Sequence, residues 1–555
     1  MQVKSQIEPQ TWSHTAPSAR AASRRWARFS PALAPLALIL LTLLVVWQYN
    51  PLTRTLTGDH GTFAYLSQLV ADGFMPHQYA FNEQASLTFF IGGAFMRLGD
   101  IFGVHRLLAL RAASVGVFAI IVGLTYLLTL RWTRSQWAAF VAGAILIGFE
   151  AFGVRAATGL EPKALMLAFG LGALLALQKH QWFWAGALAG LAGLAWQIAW
   201  GYLIVALLLA FVQGGATPRA RTRAVLQTLA PALVILAAYC IVFAAHGAFI
   251  EMVQQTFLAP ALMHEIGSRP FAGRVRQLYN TFVIGYRSHL LFAALGIGGF
   301  VIWLLAHLRP WRVRALPARG AYYFFANRRT AGVLLVVAGF TLYSFLDFQN
   351  YPDWFPLLPF LALFAAWLVW QAAARVLQFL NLAPRARTVG FAGIAALLGL
   401  VSVSHAFLAP PLEKQMQGLT WQDQARAAAT LSRALGPETS VWVIGKPELL
   451  FMMQRRNLNP YIYLFGNVDG IIDRLEPGGF SKMLADARAQ KPGLVVMARL
   501  PKNKFTAFAN YRALEEIKTE FMPVRQCRAL GAGSFFVPRD NAASLFAAAQ
   551  GCIKK

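Results

Sequence analysis

Residues 31–65, PALAPLALILLTLLVVWQYNPLTRTLTGDHGTFAY, join an apolar run long enough to cross a bilayer to a short polar stretch that carries a carboxylate, Asp59. A spanning helix needs about 20 apolar residues, and 31–49 supplies that length. An acid placed just beyond such a run is expensive to keep near hydrocarbon, so it is a functional candidate by default. Asp59 is therefore the first candidate for a catalytic base.

The composition fits the same picture. The 555 residues are 57% hydrophobic and 13% charged, with a mean hydropathy of +0.49, which no single water-soluble core could absorb. The formal charge of +27 would suggest nucleic acid in a soluble protein. In a bilayer protein, Lys and Arg mark the cytoplasmic loops instead, so no nucleic-acid partner is expected. Cys240, Cys527 and Cys552 show neither metal-ligand spacing nor a CxxC pair.

Spanning runs are read at 31–49, 107–130, 137–154, 162–178, 183–197, 199–213, 225–245, 288–307, 330–346, 354–373 and 389–408. A twelfth candidate, 85–96, is short and is closed by Arg97 and Asp100, so it is expected to lie on the membrane as an amphipathic helix. With the N-terminus inside, the inner segments hold 20 of the 50 Lys and Arg, including Arg309, Arg312, Arg314, Arg319, Arg328 and Arg329. The outer loops hold nine, although 50–106 and 246–287 are long. A twelfth span would put the Arg-rich 308–329 stretch outside, against the positive-inside rule. The expected fold class is a polytopic α-helical membrane protein with about eleven spans.

Residues 1–30 read as a disordered cytoplasmic arm before a signal anchor, with no small-residue cleavage site following. Residues 31–408 read as the transmembrane domain, with 50–106 as its first outer loop. Beyond Pro410 the charges rise and apolar runs shorten. Strands are expected at 440–445, 460–465 and 493–499, and helices at 447–456, 480–490 and 506–518. Residues 409–555 therefore form an α/β domain, on the outside by topology.

The outer face carries Asp59, Tyr79 and Glu83, then Arg155, Glu161 and Lys163. Beyond these come Arg269, Arg274 and Arg276, and an acidic aromatic loop containing Asp347 and Asp353. A carboxylate can take a proton from an acceptor hydroxyl, cations can neutralise a phosphate leaving group, and aromatic rings stack on sugars. That mixture suits glycosyl transfer from a lipid phosphate. Each residue also has a plainer role. Asp59 could cap the helix after it, Glu161 could favour the dipole of the helix opened by Pro162, and the third-loop arginines could meet lipid headgroups. For Asp353 a solvated loop is at least as good a description, and His60 and His264 read as surface histidines.

The run Gly58-Asp59 through Tyr65, the turn Gly73-Phe74-x-Pro76-x-x-Tyr79, the aromatic helix ending Leu98-Gly99 with Arg106 and Arg111 after it, and Glu161-Pro162 together resemble the GT-C glycosyltransferases. The nearest groups are the family 39-like, aminoarabinose-transferase-like and galacturonosyl-transferase-like enzymes. The Pro-rich run at 354–359 and the α/β tail resemble them too. The resemblance implies that Asp59 is the base and that Glu161 assists at the same site. It also implies a polyprenyl-phosphate sugar donor and a lipid or glycan acceptor, in contact with membrane lipids. Many members have Asp-Glu where this chain has Asp59-His60. They carry Lys-Pro-Pro at Gln84-Ala85-Ser86 and often a Lys at Trp196-Gln197. Arg155, Lys163, Arg269, Arg274 and Arg276 are the candidates to replace the missing phosphate contact.

The expectation is an inverting, lipid-dependent transferase of the bacterial inner membrane, with its C-terminal domain periplasmic. No cofactor is expected, and a divalent cation, known in the family, finds no ligand cluster. A lipid-linked glycan polymerase or ligase, and a transporter or flippase, remain alternatives. The first leans on a longer outer loop of Arg and His, and the second on internal repeats and interrupted helices.

Overall fold

The computed structural model describes residues 18–262, 289–308, 330–346, 351–408, 419–464, 467–498, 505–524 and 534–538, together with 272–273, 275–277, 279 and 283. Arg269, Arg274, His264 and Asp347 lie outside these residues, as do Cys527, Cys552 and the 309–329 stretch.

Every apolar run read from the sequence falls on helix. Among the described residues four helices are long and apolar enough to cross a membrane, spanning 106–133, 218–245, 353–379 and 384–408. The first, fourth and second of these are α5 (Arg106–Thr133), α16 (Pro384–Leu408) and α11 (Pro218–Ala245); the third includes α15 (Leu358–Phe379). The run expected at 137–154 is broken into α6 (Gln136–Gly148) and α7 (Glu150–Thr158), which meet at 64°. Among the described residues six shorter apolar helices lie in α1 (Ser18–Gln48), α8 (Pro162–Gln178), α9 (Trp182–Ala195), α10 (Trp200–Gln213), α13 (Leu290–Leu308) and α14 (Ala331–Leu346), and the short α12 (Phe249–Val253) follows α11. Large apolar side chains stand exposed along them, among them Leu40 and Trp47 on α1, Val234 and Ile241 on α11, and Leu397 and Leu400 on α16. Water would not tolerate apolar faces on this scale, whereas lipid would cover them.

Between α1 and α5 lie α2 (Asp59–Ala71), α3 (Pro76–Tyr79) and α4 (Leu87–Ile101). The sequence closes the α4 helix at Arg97, but the structure carries it on to Ile101. Arg97 Nε donates to the Ala71 carbonyl at 2.6 Å, and Asp100 accepts from Arg106 Nη2 at 2.9 Å, so both charges are satisfied on the helix instead of ending it. Phe95, Leu98, Ile101 and Phe102 are exposed, and 15 residues are too few to span.

The C-terminal unit opens with α17 (Trp421–Leu435), started by a reciprocal capping box between Thr420 and Asp423. Its sheet holds β1 (Val441–Ile444), β2 (Leu494–Met497), β3 (Met522–Val524) and β4 (Ser534–Val537) in the order β1-β2-β4-β3. β1 and β2 are parallel, with Val441 opposite Leu494, and every residue of both is buried. Their crossover contains α18 (Pro447–Met453), α19 (Val468–Leu475) and α20 (Gly479–Ala489), and α21 (Phe508–Glu520) follows β2. The strand expected at 460–465 is absent from its described part, 460–464. That segment sends its hydrogen bonds elsewhere: Phe81 N donates to the Pro460 carbonyl at 2.7 Å and Gly445 N to the Ile462 carbonyl at 2.6 Å. Its apolar run reflects burial between two partners, not a ladder.

Loop 49–58 is gripped by the C-terminal unit. Trp421 Nε1 donates to Leu52 O at 2.7 Å, and the Gln424 amide makes a closed pair with Leu56, at 2.8 Å to its N–H and 3.0 Å to its carbonyl. One apolar core accordingly runs from Leu56 and Leu66 through Trp421 to Val441 and Leu449.

Helices α9 and α11 approach so closely at Gly186 that a Cβ there would fall on the Thr228 carbonyl, whereas nothing lies within 4 Å of the corresponding position at Gly201 on α10. Gly186→Ala is expected to lower the melting temperature of the purified protein by several degrees, and Gly201→Ala to leave it unchanged or raised. Equal melting curves for the two variants would refute this packing.

Candidate active site

Three chain segments bring the site together, and a buried arginine fixes two of them. Arg111 of α5 donates to the carbonyls of Pro51 at 2.8 Å, Arg54 at 2.6 Å and Thr158 at 3.0 Å. The guanidinium fork suits three acceptors at once. It ties the loop leading into Asp59 to the end of α7, which carries Arg155. Ser114, one turn along α5, adds a bond to the Gly159 carbonyl at 2.8 Å.

Asp59 is the first residue of α2, and its side chain makes no cap bond. The cap position belongs to Gly58, at φ 59°, where a side chain would be strained. The Asp59 carboxylate instead accepts from Arg155 Nη2 at 3.3 Å and remains 64% exposed. Arg155 Nη1 donates to Glu161 at 2.9 Å, and that carboxylate is 6% exposed. Glu161 sits at the cap position of α8 without capping it. One guanidinium therefore stands between an open acid and a buried one.

Burial pushes the Glu161 carboxyl above its ordinary range, Arg155 and Lys163 pull it down, and Asp59 pushes it up again. Lys163, at the head of α8, pairs with Asp353 at 2.6 Å, and its Nζ lies 5.1 Å from the centre of the Trp196 ring. Asp353 is thus a buried ion-pair partner, not the solvated loop residue the sequence suggested. His60 is buried as well, 4% exposed, where a surface position was expected. Burial, then Arg155, Arg54 and Arg111, hold its pKa far down, so it is neutral.

The C-terminal unit contributes residues that sequence reasoning missed. The Tyr463 hydroxyl donates to Glu83, and Lys446 Nζ pairs with Glu448 at 3.2 Å. A Cβ on Gly61 would lie 3.0 Å from Glu448, which places that acid against the first turn of α2. Burial raises the Glu83 carboxyl; Tyr463 and Lys163 oppose the shift and Asp59 adds to it. Burial also raises Glu448, with Lys446 opposing. The amide Nε2 of Gln197 donates to the Glu83 carbonyl at 2.7 Å. Next to it His77, pushed down to about 4 by burial, holds Gln255 at 3.1 Å and Ser86 at 2.7 Å.

Tyr79 is drawn into the contact between segments. Arg456 lies over it at 5.5 Å and over Phe74 at 4.6 Å. Arg276 is exposed, and no described contact joins it to Asp59. Among the described residues no group of three or more His, Cys, Asp or Glu could hold a metal ion.

No family model matches the chain. A dolichol phosphate-mannose mannosyltransferase of Haloferax volcanii is 23% identical over 310 residues, covering 54% of this chain and 62% of that protein. Among solved structures, the oligosaccharyltransferase AglB of Archaeoglobus fulgidus, in complex with an inhibitory peptide and a dolichol-phosphate, has a TM-score of 0.49 at 14% identity. It covers 85% of this chain and 70% of that one. ArnT of Cupriavidus metallidurans, bound to undecaprenyl phosphate, has a TM-score of 0.43 at 17% identity, covering 92% and 98%.

Two outcomes follow from the buried charges. Arg155→Gln strands Glu161 and is expected to cost about 3 kcal/mol, most of it recovered by adding Glu161→Gln; melting curves of wild type and the two variants decide this. For Glu83, a folded pKa above the unfolded value of about 4.3 gives stability that is complete below that pH and is lost as pH rises through the folded value. The melting temperature of Glu83→Gln, relative to wild type, should therefore climb between pH 4 and 7. A gap that stays constant with pH would rule this out.

Proposed function

We propose that this protein transfers a sugar from a polyprenyl-phosphate donor to a lipid, polysaccharide or protein acceptor of the cell envelope, at the outer face of the bacterial inner membrane. On this reading residues 31–408 cross the membrane eleven times, residues 1–30 lie in the cytoplasm, and residues 409–555 cover the cleft from the periplasm. The observation that carries the reading is the position of Asp59: it is open at the head of α2 while its one described ionic partner, Arg155, is held by the buried Glu161.

Asp59 takes the proton of the acceptor hydroxyl as that oxygen bonds to the anomeric carbon. The bond from that carbon to the phosphate oxygen breaks, configuration inverts, and the polyprenyl phosphate leaves with the electron pair. Glu161 holds Arg155 in place, and Arg155 and Lys163 face the charge that grows on the phosphate. Rate enhancement then rests on positioning and on preformed charge in a water-poor cleft. Glu161 is less able than Asp59 to meet an acceptor hydroxyl, because its side chain is buried against Arg155 while that of Asp59 is open.

Cells lacking the protein should be missing one sugar from their envelope glycans or lipid-linked intermediates, as read by mass spectrometry. Wild type restores it, while Asp59→Asn at equal membrane level leaves transfer lowered by about 10²–10⁴-fold. Full restoration by Asp59→Asn would refute the assignment. Loss of a whole glycan polymer, with its repeat unit accumulating, would favour a polymerase or ligase instead.

A further inference from the structure

Lys163 occupies a place made for an anion. It is the second residue of α8, after Pro162, where the unpaired N–H groups and the helix dipole already favour negative charge. Its side chain is 14% exposed and lies near the Trp196 ring. Burying an ammonium there is unfavourable unless an anion accompanies it. Asp353, 11% exposed and 2.6 Å away, is that anion in this structure.

Lys163 differs from the other cations of the site. Arg155 is bonded to two acids, one of them buried, and Lys446 pairs with an acid two residues away in its own turn. The Lys163 partner comes from elsewhere in the chain, from the 3₁₀ segment Tyr351–Leu357, whose Pro356 and following Pro359 lead into α15. Exchanging this partner therefore moves a separate piece of backbone. A phosphate offers more acceptor oxygens than a carboxylate. As the glycosyl bond breaks, the phosphodiester monoanion becomes a monoester that approaches a dianion, and its competition for Lys163 strengthens in the transition state.

Resting on the donor assigned above, we infer that Asp353 is an exchangeable counter-ion. It holds Lys163 while the site is empty, and the donor phosphate displaces it, so that the 351–357 segment responds to donor occupancy. The ion pair is a competitor of the phosphate, not a fixed pin.

The test is binding of undecaprenyl phosphate to the full-length protein in lipid nanodiscs, free of any activity readout. With the competitor removed, Asp353→Asn should bind about fivefold or more tightly than wild type. Asp353→Glu, which keeps a carboxylate, should stay within about twofold, and Lys163→Gln should lose about tenfold. A structural pin gives the opposite sign, weaker binding by Asp353→Asn, and that result would overturn the inference. Hydrogen exchange on wild type needs no variant: undecaprenyl phosphate should speed exchange of the amides at 353–357, and protection or no change would also overturn it. If wild type binds and Asp353 makes no difference, the exchange idea fails alone. If wild type does not bind at all, the donor assignment fails with it.

Discussion

A single buried guanidinium, that of Arg111, decides where the chemistry of this protein can sit. Its three carbonyl partners belong to the loop before α2 and to the end of α7, two pieces of backbone about a hundred residues apart. A buried carbonyl left without a donor is costly, so both segments are held to one geometry. Asp59 enters from one of them and Arg155 from the other. The break between α6 and α7 belongs to the same construction. A straight helix through 137–158 would carry Arg155 onward along the axis of α6, whereas the 64° turn takes α7 off that axis.

Around this anchor the charges are arranged as pairs between segments. Arg155 joins α7 to α2 and α8, Lys163 joins α8 to the segment before α15, and Tyr463 joins the C-terminal unit to the outer loop at Glu83. Most of these groups are buried, and each is held by its partners. Asp59 is the exception, with most of its side chain open. An acid that stays solvated next to a desolvated cation can meet an incoming hydroxyl without first breaking a buried bond.

Much of this was legible in the sequence, and the limits have physical causes. Apolar runs report helices because burial in lipid or in a helical core leaves a compositional mark, and the runs all fall on helix. Asp59, Arg155, Glu161 and Lys163 stood out because charge next to hydrocarbon is costly, and the structure places them in neighbouring segments. The sequence could not show that Lys446, Glu448 and Tyr463 complete the surroundings of α2, since contacts across nearly 400 residues have no local signature. His60 looked exposed for a similar reason. The arginines that help hold its pKa down come from α5, α7 and the 50–58 loop, and no window of sequence contains all three. The strand expected at 460–465 was an error of a different kind: a short apolar run reports burial, not pairing, and here the segment bonds Phe81 and Gly445 instead of a ladder partner.

The grip of the C-terminal unit on the outer loop has a consequence for how the molecule is made. Leu56 bonds Gln424 and Tyr65 bonds Asn457, partners 368 and 392 positions further along the chain. A ribosome has released the helix that bears Asp59 long before it reaches them. Closing contacts of such separation is slow, because chain entropy must be lost before they reward it. The nascent chain thus passes through most of its synthesis with the cleft unfinished. A truncated product, however well its helices insert, would expose Asp59 without the Tyr463 and Lys446 side of its surroundings, so completeness of the polypeptide becomes a condition for assembling the site.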